Sequence, residues 1–472
     1  YCQDCGELTV TVADAKACSH CGSTKIEQDS DVLDTWFSSA LWTHSTLGWP
    51  DDTERLRYFY PSTVMETGYD ILFFWVARMI MMGLEDTGDI PFSTVYLHGL
   101  VRDEKGEKMS KIKGNVLNPI DTLEKYGTDA LRFALSTGTS PGNDVKLTSS
   151  RLEAGRNFAN KLWNATRFVV RSLLSRKEFV SEVILDRLSL ETRPLEDRWI
   201  LSRLSRTISS VTSLMQDFQF GEAQRQIHDF LWGEFCDWYI EIAKIRLRST
   251  REVLSPLPVL VYVLETSLRL LHPYMPFVTE ELWQNLKKHL PPDWQFAESI
   301  MVAAYPEADD KAIDPGAEQV MESIIEIIHS IRNARAKYKV ESARWIEAQI
   351  YAGKLTSAII PYSQAIQTLA RVKPVTFLDS RQEGLSTENA LVLVLKETKV
   401  VIPMENMVNL EAERKRLKKE IEQSQAEIAR LETRLKDKAF LTRAPAAIVD
   451  KEHQKLATAK DKLERLKSAY RG

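Results

Sequence analysis

Apolar residues recur along this chain with spacings that change from segment to segment, and each spacing predicts a different kind of element. Between residues 29 and 145 short apolar runs alternate with helical spacing. There Thr94–Leu100 (TVYLHGL) reads as a buried strand and Tyr69–Gly83 as an apolar helix, the alternation of an α/β sheet domain. From about Ser150 to Leu290 the spacing is helical over Arg151–Leu174, Glu196–Phe218, Gly221–Ser249 and Leu257–His272, which predicts an all-α bundle. Residues 306–402 combine one clear helix, Gly316–Lys337, with strand-like Trp345–Tyr351 and Ala390–Leu395, a small α+β module. After Asn409 the positions Leu410, Leu417, Ile421, Ile428, Leu431 and Leu435 keep a three-and-four spacing on an otherwise charged helix. A second seam follows in Val449, Leu456, Ala459, Leu463, Leu466 and Tyr470, and the short Phe440–Ala447 connection favours an antiparallel hairpin over an intermolecular coil.

Composition narrows the class. At 472 residues the chain is long enough for about three or four domains. Its 44% apolar and 27% charged residues suit a soluble globular protein, and no run approaches the ~20 apolar residues that span a membrane. The chain opens at Tyr1 without a starting Met, a basic n-region or an apolar h-region, so the expectation is a fragment of a longer, non-secreted protein. Net charge is only −4, so a nucleic-acid partner has to be met by local basic surfaces. The predicted hairpin supplies one, with about six more basic than acidic residues. Four of the five cysteines form two Cys-x-x-Cys pairs, while Cys236 lies alone in an aromatic-rich helical stretch, a pattern of a metal site in a reducing compartment.

Cys2-x-x-Cys5 and Cys18-x-x-Cys21 offer four thiolates at a spacing that wraps a tetrahedral zinc, with Gly6 and Gly22 placed to turn the chain after each pair. Four sulfurs leave no open position for substrate, so the expected Zn2+ is structural, and His20 beside Cys21 is the alternative ligand. The segment Lys108-Met109-Ser110-Lys111-Ile112-Lys113-Gly114-Asn115-Val116 gathers three lysines on a small turn, which either closes on a polyphosphate or is a solvated charge run. Glu66-Thr67-Gly68-Tyr69-Asp70 sets two carboxylates at a helix start, where they cap the helix or hydrogen-bond a ribose. Asp34-Thr35-Trp36-Phe37 and Phe73-Phe74-Trp75 bring bulky aromatics to the same region, with core packing as the default reading. The residues alone leave these alternatives open.

Taken together, DVLDTWFSS at 31–39, FYPSTVMETGYDILFFWVARMIMMGL at 59–84, VYLHGLVRDEKGEKMSKIKGNV at 95–116 and YGTDALRFAL at 126–135 resemble the class I aminoacyl-tRNA synthetases, and within them the valyl branch. FANKLWNATRF at 158–168, EFCDWYIEIAK at 234–244 and LHPYMPFVTEELW at 271–283 are similar to that family's anticodon-binding helices. The resemblance covers essentially the whole chain and implies a multidomain protein. It has a zinc-binding knuckle (1–28), the C-terminal half of a Rossmann-like α/β catalytic domain with a KMSKS-like loop (29–145) and an all-α anticodon-binding helical bundle (146–305). A small α+β module (306–402) and a C-terminal antiparallel coiled-coil tRNA-binding arm (403–472) follow.

By the same resemblance Lys108 and Lys111 act as catalytic residues on the ATP phosphates, Glu66, Gly68 and Asp70 hold the ribose, and His98 and Ser110 lie at the nucleotide. Trp36 and Trp75 wall the valine pocket, and Lys418 and Lys419 contact the tRNA backbone, although on residue type alone they are equally a solvated helix face. The implied cofactors and partners are ATP, Mg2+, Zn2+, valine and valine tRNA, in a cytoplasmic monomer without membrane attachment. Ile112 departs from the pattern, standing where the family has Ser. None of the eight histidines sits in a HIGH-type motif, and the family's editing domain is missing. The expectation is therefore an ATP-dependent ligase whose present chain binds tRNA but does not catalyse alone, with an unpaired edge where its sheet lacks strands. A noncatalytic RNA-binding module and a related isoleucyl or leucyl enzyme are the alternatives.

Overall fold

The computed structural model describes residues 1–110, 112–175, 192–248, 254–290, 296–378, 390–407 and 410–436, together with 452, 454–461 and 463–464. Lys111, the Phe440–Ala447 connection, and Val449, Leu466 and Tyr470 of the second seam lie outside the described residues. Two compact units, discontinuous in sequence, make up the chain. No helix among the described residues is long and apolar enough to cross a membrane.

The first unit comprises Tyr1–Val180, Thr207–Trp232 and Leu264–Ala308. Helix α1 (Thr35–Ser45) begins at Asp34, whose carboxylate accepts the Trp36 N–H, and α2 (Glu54–Phe59) begins at Thr53, whose hydroxyl accepts from Leu56. Strand β1 (Ser62–Gly68) leads through a 3-10 turn (Tyr69–Ile71), a π-helical turn (Leu72–Val76) and α3 (Ala77–Thr87) into the parallel strand β2 (Phe92–His98). The continuous helix expected over Tyr69–Gly83 is thus three pieces. Its i→i+5 stretch coincides with the bulky Phe73-Phe74-Trp75 run. Val76, Met79 and Phe92 form the core, with Met65, Trp75, Ile80 and Val95 packed against it. His44 is fully buried and clamps α1 to α3 through Asp86, 3.0 Å from its Nε2.

A second parallel pair joins β3 (Val101–Arg102) to β4 (Val145–Lys146), with α4 (Pro119–Tyr126) and α5 (Thr128–Ser136) between them. The long helices that follow are α6 (Ser149–Leu174), α7 (Leu195–Gln216), α8 (Phe220–Asp229), α9 (Ile240–Arg248), α10 (Leu257–Leu271) and α11 (Pro276–Lys287). The single helix predicted over Gly221–Ser249 is continuous as far as Arg248, the last described residue of that range, but its middle, Phe230–Tyr239, is π-helical. The phrase TDALRF has a direct structural purpose. Asp129 accepts from the backbone N–H groups of Phe277 and Val278, at 3.3 and 2.6 Å, and so caps α11 from outside. Arg132 donates to the carbonyls of Tyr274 and Pro273, fixing the turn before that helix.

The second unit comprises Ser181–Arg206, Gly233–Val263 and Asp309–Gly472. Helix α12 (Pro315–Lys337) starts at Asp314, whose side chain accepts from Ala317. A four-stranded sheet follows, built from β5 (Ile346–Tyr351), β6 (Val372–Leu378), β7 (Ala390–Val394) and β8 (Lys399–Pro403) in the order β6-β5-β8-β7. Along β5 burial alternates, with Ile346, Ala348 and Ile350 inside. Helices α13 (Thr356–Ile359) and α14 (Ser363–Ala370) cross between β5 and β6. After α15 (Met404–Met407) comes α16 (Leu410–Lys436), whose Leu431 is buried, as is Ala459 of the second seam. Lys460 pairs with Glu432 at 2.6 Å. Lys418 and Lys419 are exposed on α16.

An ionic cluster is buried in this unit. Arg246 lies 2.6 Å from Asp197 and 3.1 Å from Glu196, Tyr239 donates to Asp197 at 2.7 Å, and Tyr362 donates to Glu196. Burial raises the Glu196 carboxyl above its ordinary range, against the pull of Arg246. A carboxyl whose folded-state pKa is raised contributes its stability below the ordinary carboxylate range and loses it as pH rises through the raised value. Gln cannot ionise. Urea unfolding of Glu196→Gln is therefore expected to gain stability relative to the parent as pH rises above the ordinary carboxylate range, and a pH-independent difference would refute the assignment.

Candidate functional site

Parallel pairing sets Gly68 opposite His98, so the carboxyl ends of β1 and β2 lie at one level. Ligand sites of open α/β sheets form outside such strand ends. Glu66 on β1 approaches His98 Nε2 at 3.4 Å, and the ring's Nδ1 lies 2.9 Å from the Gly99 carbonyl. Asp70, in the following 3-10 turn, folds back over Gly68. A Cβ on Gly68 would lie 2.8 Å from the Asp70 carboxylate, so the glycine makes room for it. Lys108 Nζ stands 3.3 Å from Asp70 Oδ2. Glu66, Gly68, Asp70, His98 and Lys108 are therefore brought together. Hydroxyl-accepting carboxylates beside an exposed ammonium suit a ligand that carries both hydroxyls and anionic groups.

The turn bearing Lys108 is built by residues to which the sequence reading gave no task. Lys108 bridges antiparallel to Arg102, and Asp103 closes the intervening turn by accepting from the N–H groups of Lys105 and Glu107, at 3.0 and 2.8 Å. Asn115 then ties this turn to the lysine loop. Its Oδ1 accepts from the Ser110 N–H at 2.9 Å, and its Nδ2 donates to Asp103 at 2.9 Å and to the Lys108 carbonyl at 3.4 Å. The Asn115 bond, followed by the Glu107 N–H, lowers the Asp103 carboxyl below its usual range. Ile112 is fully exposed. Asp144 ties the loop's base to the sheet, accepting from the Leu100 N–H at 2.9 Å and from Arg102, with the Tyr69 hydroxyl at 3.5 Å. Just before β3, a Cβ on Gly99 would overlap the backbone carbonyl of Asn143. The Asp-Glu-Lys-Gly turn and the Gly-Asn pair after the lysines were the available sequence signals.

Trp36 and Trp75 take different neighbours. Trp36, 39% exposed, lies under the Arg78 guanidinium at 4.7 Å and packs edge-on to Phe37, whereas half-buried Trp75 packs on the Val76, Met79 and Phe92 core. At the amino end the sulfurs of Cys2, Cys5, Cys18 and Cys21 lie within 4.8 Å of one another, with Cys2–Cys21 at 3.5 Å and Cys5–Cys18 at 3.6 Å. A tetrahedron with Zn–S of about 2.3 Å needs S–S separations near 3.8 Å, so the four sulfurs fit one zinc. Gly6 and Gly22, both at φ +77°, carry the chain around each pair. His20 contributes its backbone N–H to Cys18 Sγ at 3.4 Å. The N–H groups of Cys21 and His20 bring the Cys18 thiol down to about 6, an environment suited to a thiolate.

Residues 5–148 match the family described as tRNA synthetases class I (I, L, M and V), 197–350 the anticodon-binding domain of tRNA ligase, and 409–471 the valyl tRNA synthetase tRNA binding arm. A valine–tRNA ligase of Dehalococcoides mccartyi strain CBDB1 is 58% identical over 99% of this chain and 52% of its own length. One from Thermotoga maritima is 42% identical over 100% of this chain and 52% of its own. The chain thus spans about half the length of these relatives.

Asn115→Ala removes three contacts worth about 0.5–1.5 kcal/mol each, so the lysine loop is expected to open at least roughly tenfold more often. Trypsin cleavage between Lys105 and Lys113, followed by mass spectrometry, should speed up accordingly while the melting temperature stays constant. An unchanged cleavage rate would show that Asn115 does not hold the loop.

Proposed function

Since the chain belongs to the class I tRNA synthetases and aligns along its length with their valyl branch, we propose that it supplies part of an active site that activates valine with ATP and passes it to valine tRNA. The observation that carries this reading is the meeting of Glu66, Asp70, His98 and Lys108 at the carboxyl ends of two parallel strands. Glu66 and Asp70 accept the ribose hydroxyls, with Gly68 leaving space beside them and His98 and Ser110 near the nucleotide. As a valine carboxylate oxygen attacks the α-phosphorus, the bond to pyrophosphate breaks and charge collects on the leaving group. Lys108, joined by Lys111, stabilises that charge. The tRNA terminal hydroxyl then attacks the activated carbonyl and AMP departs. Bound Mg2+ adds charge neutralisation at the phosphates.

Lys108 has to leave Asp70 for this. Both side chains are largely exposed, and such pairs contribute about 0–1 kcal/mol, so the exchange is easily made. Trp36, held by Arg78, and Trp75 bound the valine side chain. Residues 1–28 form the zinc knuckle, in which Cys2, Cys5, Cys18 and Cys21 hold a structural Zn2+. Residues 29–145 are the catalytic portion, 146–305 the anticodon-binding bundle, 306–402 the α+β module and 403–472 a coiled-coil hairpin arm whose Lys418 and Lys419 meet the tRNA backbone. The Lys460–Glu432 pair supports the hairpin.

Binding of this chain to transcripts of valine, isoleucine and leucine tRNA, at two salt concentrations, tests the reading. Preference for valine tRNA that falls when its anticodon is changed is the expected result. Equal, steeply salt-dependent binding to all three would leave a nonspecific RNA-binding module instead. For the knuckle, metal analysis is expected to find one zinc per chain, lost in Cys18→Ser and on chelation. A metal content unaffected by that substitution would exclude the site.

A further inference from the structure

One corner of the α+β module concentrates positive charge. The end of α12, the turn at 338–345 and the starts of β5 and β6 bring Arg332, Arg335, Lys339, Arg344, Arg371 and Lys373 into one region, with Glu341 and Glu347 the acids of residues 332–347. In a chain of net charge −4 this is a local reversal. Some of the charge has a structural task. Arg332 donates to the Leu369 carbonyl at 2.8 Å, and Arg335 to those of Arg371 at 3.3 Å and Glu341 at 2.9 Å, so both serve the carboxyl end of α14 and the neighbouring turn. Burial and then the like charges of Arg371 and Arg344 lower the Arg335 pKa, so the local field is positive.

Arg371 is the left-handed residue that ends α14, and Lys339 stands just past the end of α12. Lys339 and Arg371 are held at φ +53° and +56°, a backbone conformation that glycine adopts more readily. Positions that favour glycine carry long cations instead. Arg371 also lies over the ring of Trp345, 5.7 Å from its centroid, and that indole is 46% exposed. A large aromatic at the surface beside a cation pairs a stacking face with phosphate-binding charge.

We propose that this corner is an RNA-contact surface, in which Arg371 and Lys339 meet phosphates and Trp345 stacks on an unpaired base. It extends the tRNA-binding reading above and rests on it. An acidic peptide would use the charges but has no need of the exposed indole, whereas every nucleobase offers a face to it.

The test uses the whole chain, with fluorescent valine tRNA transcript and a short labelled oligouridylate as probes, titrated by anisotropy over a range of salt. Lys339→Gly with Arg371→Gly removes two charges while relieving the backbone, so folding is preserved, as a melting curve checks. The expected result is a salt slope for tRNA shallower by about two. Trp345→Ala is expected to weaken oligouridylate binding about tenfold at constant slope, and Trp345→Phe to restore most of it. Parent-like affinity and slope in the glycine pair would overturn the proposal while leaving tRNA binding intact. A parent chain that binds neither probe would overturn both readings. Competition by poly-glutamate that matches RNA charge for charge and ignores Trp345 would assign the corner to an acidic protein and overturn the RNA contact.

Discussion

The parallel pairing of β1 with β2 is the constraint on which the candidate site depends. Its register places Gly68 and His98 side by side, and from that one alignment Glu66, Asp70 and His98 acquire a common direction. Lys108 reaches the same place by a separate route. The β3–β4 pair, tied by Asp144 to Leu100 and Arg102, carries the antiparallel Arg102–Lys108 bridge. A lysine far along the chain is thereby delivered to a carboxylate on another crossover. Neither strand pair contributes much area, so the surrounding contacts have to hold them: the His44–Asp86 clamp between α1 and α3, and the apolar core around Met79.

Charge is used in two ways in this molecule. At the site the pairs are exposed and weak, so each can give way to an incoming ligand. In the second unit, Arg246, Glu196 and Asp197 are buried with two tyrosine hydroxyls, where separating them would strand charge in a poorly solvated interior. The same residue types thus act as replaceable contacts in one place and as a rigid joint in the other. Exposure separates the two cases.

Helices were legible because their apolar faces repeat: the spacing over Arg151–Leu174 anticipates α6, and that over Gly316–Lys337 anticipates α12, each nearly to the residue. The π-helical turns at Leu72–Val76 and Phe230–Tyr239 were not, since they shift hydrogen-bond partners without interrupting the run of apolar residues. Strand Val101–Arg102 is too short to show an alternation. At the site, Glu66, Gly68, Asp70, His98 and Lys108 could be named from linear segments. Asp144 and Asn115 could not be assigned their tasks, because these consist of backbone groups supplied by the fold. The sulfurs of the knuckle were readable from spacing alone, since the geometry of a tetrahedral ion is local.

The crossing at Gly99 has a genetic consequence. Every other amino acid carries a Cβ, and the atom it would strike is the main-chain oxygen of Asn143, so the identity of the side chain at 143 is irrelevant to the collision. No second-site suppressor can be found by changing side chains there. Relief requires moving the 143–145 backbone, and with it Asp144 and the strand that supports the lysine loop. Position 99 is thus closed to drift even though it performs no chemistry, and variation in this part of the chain has to go around it.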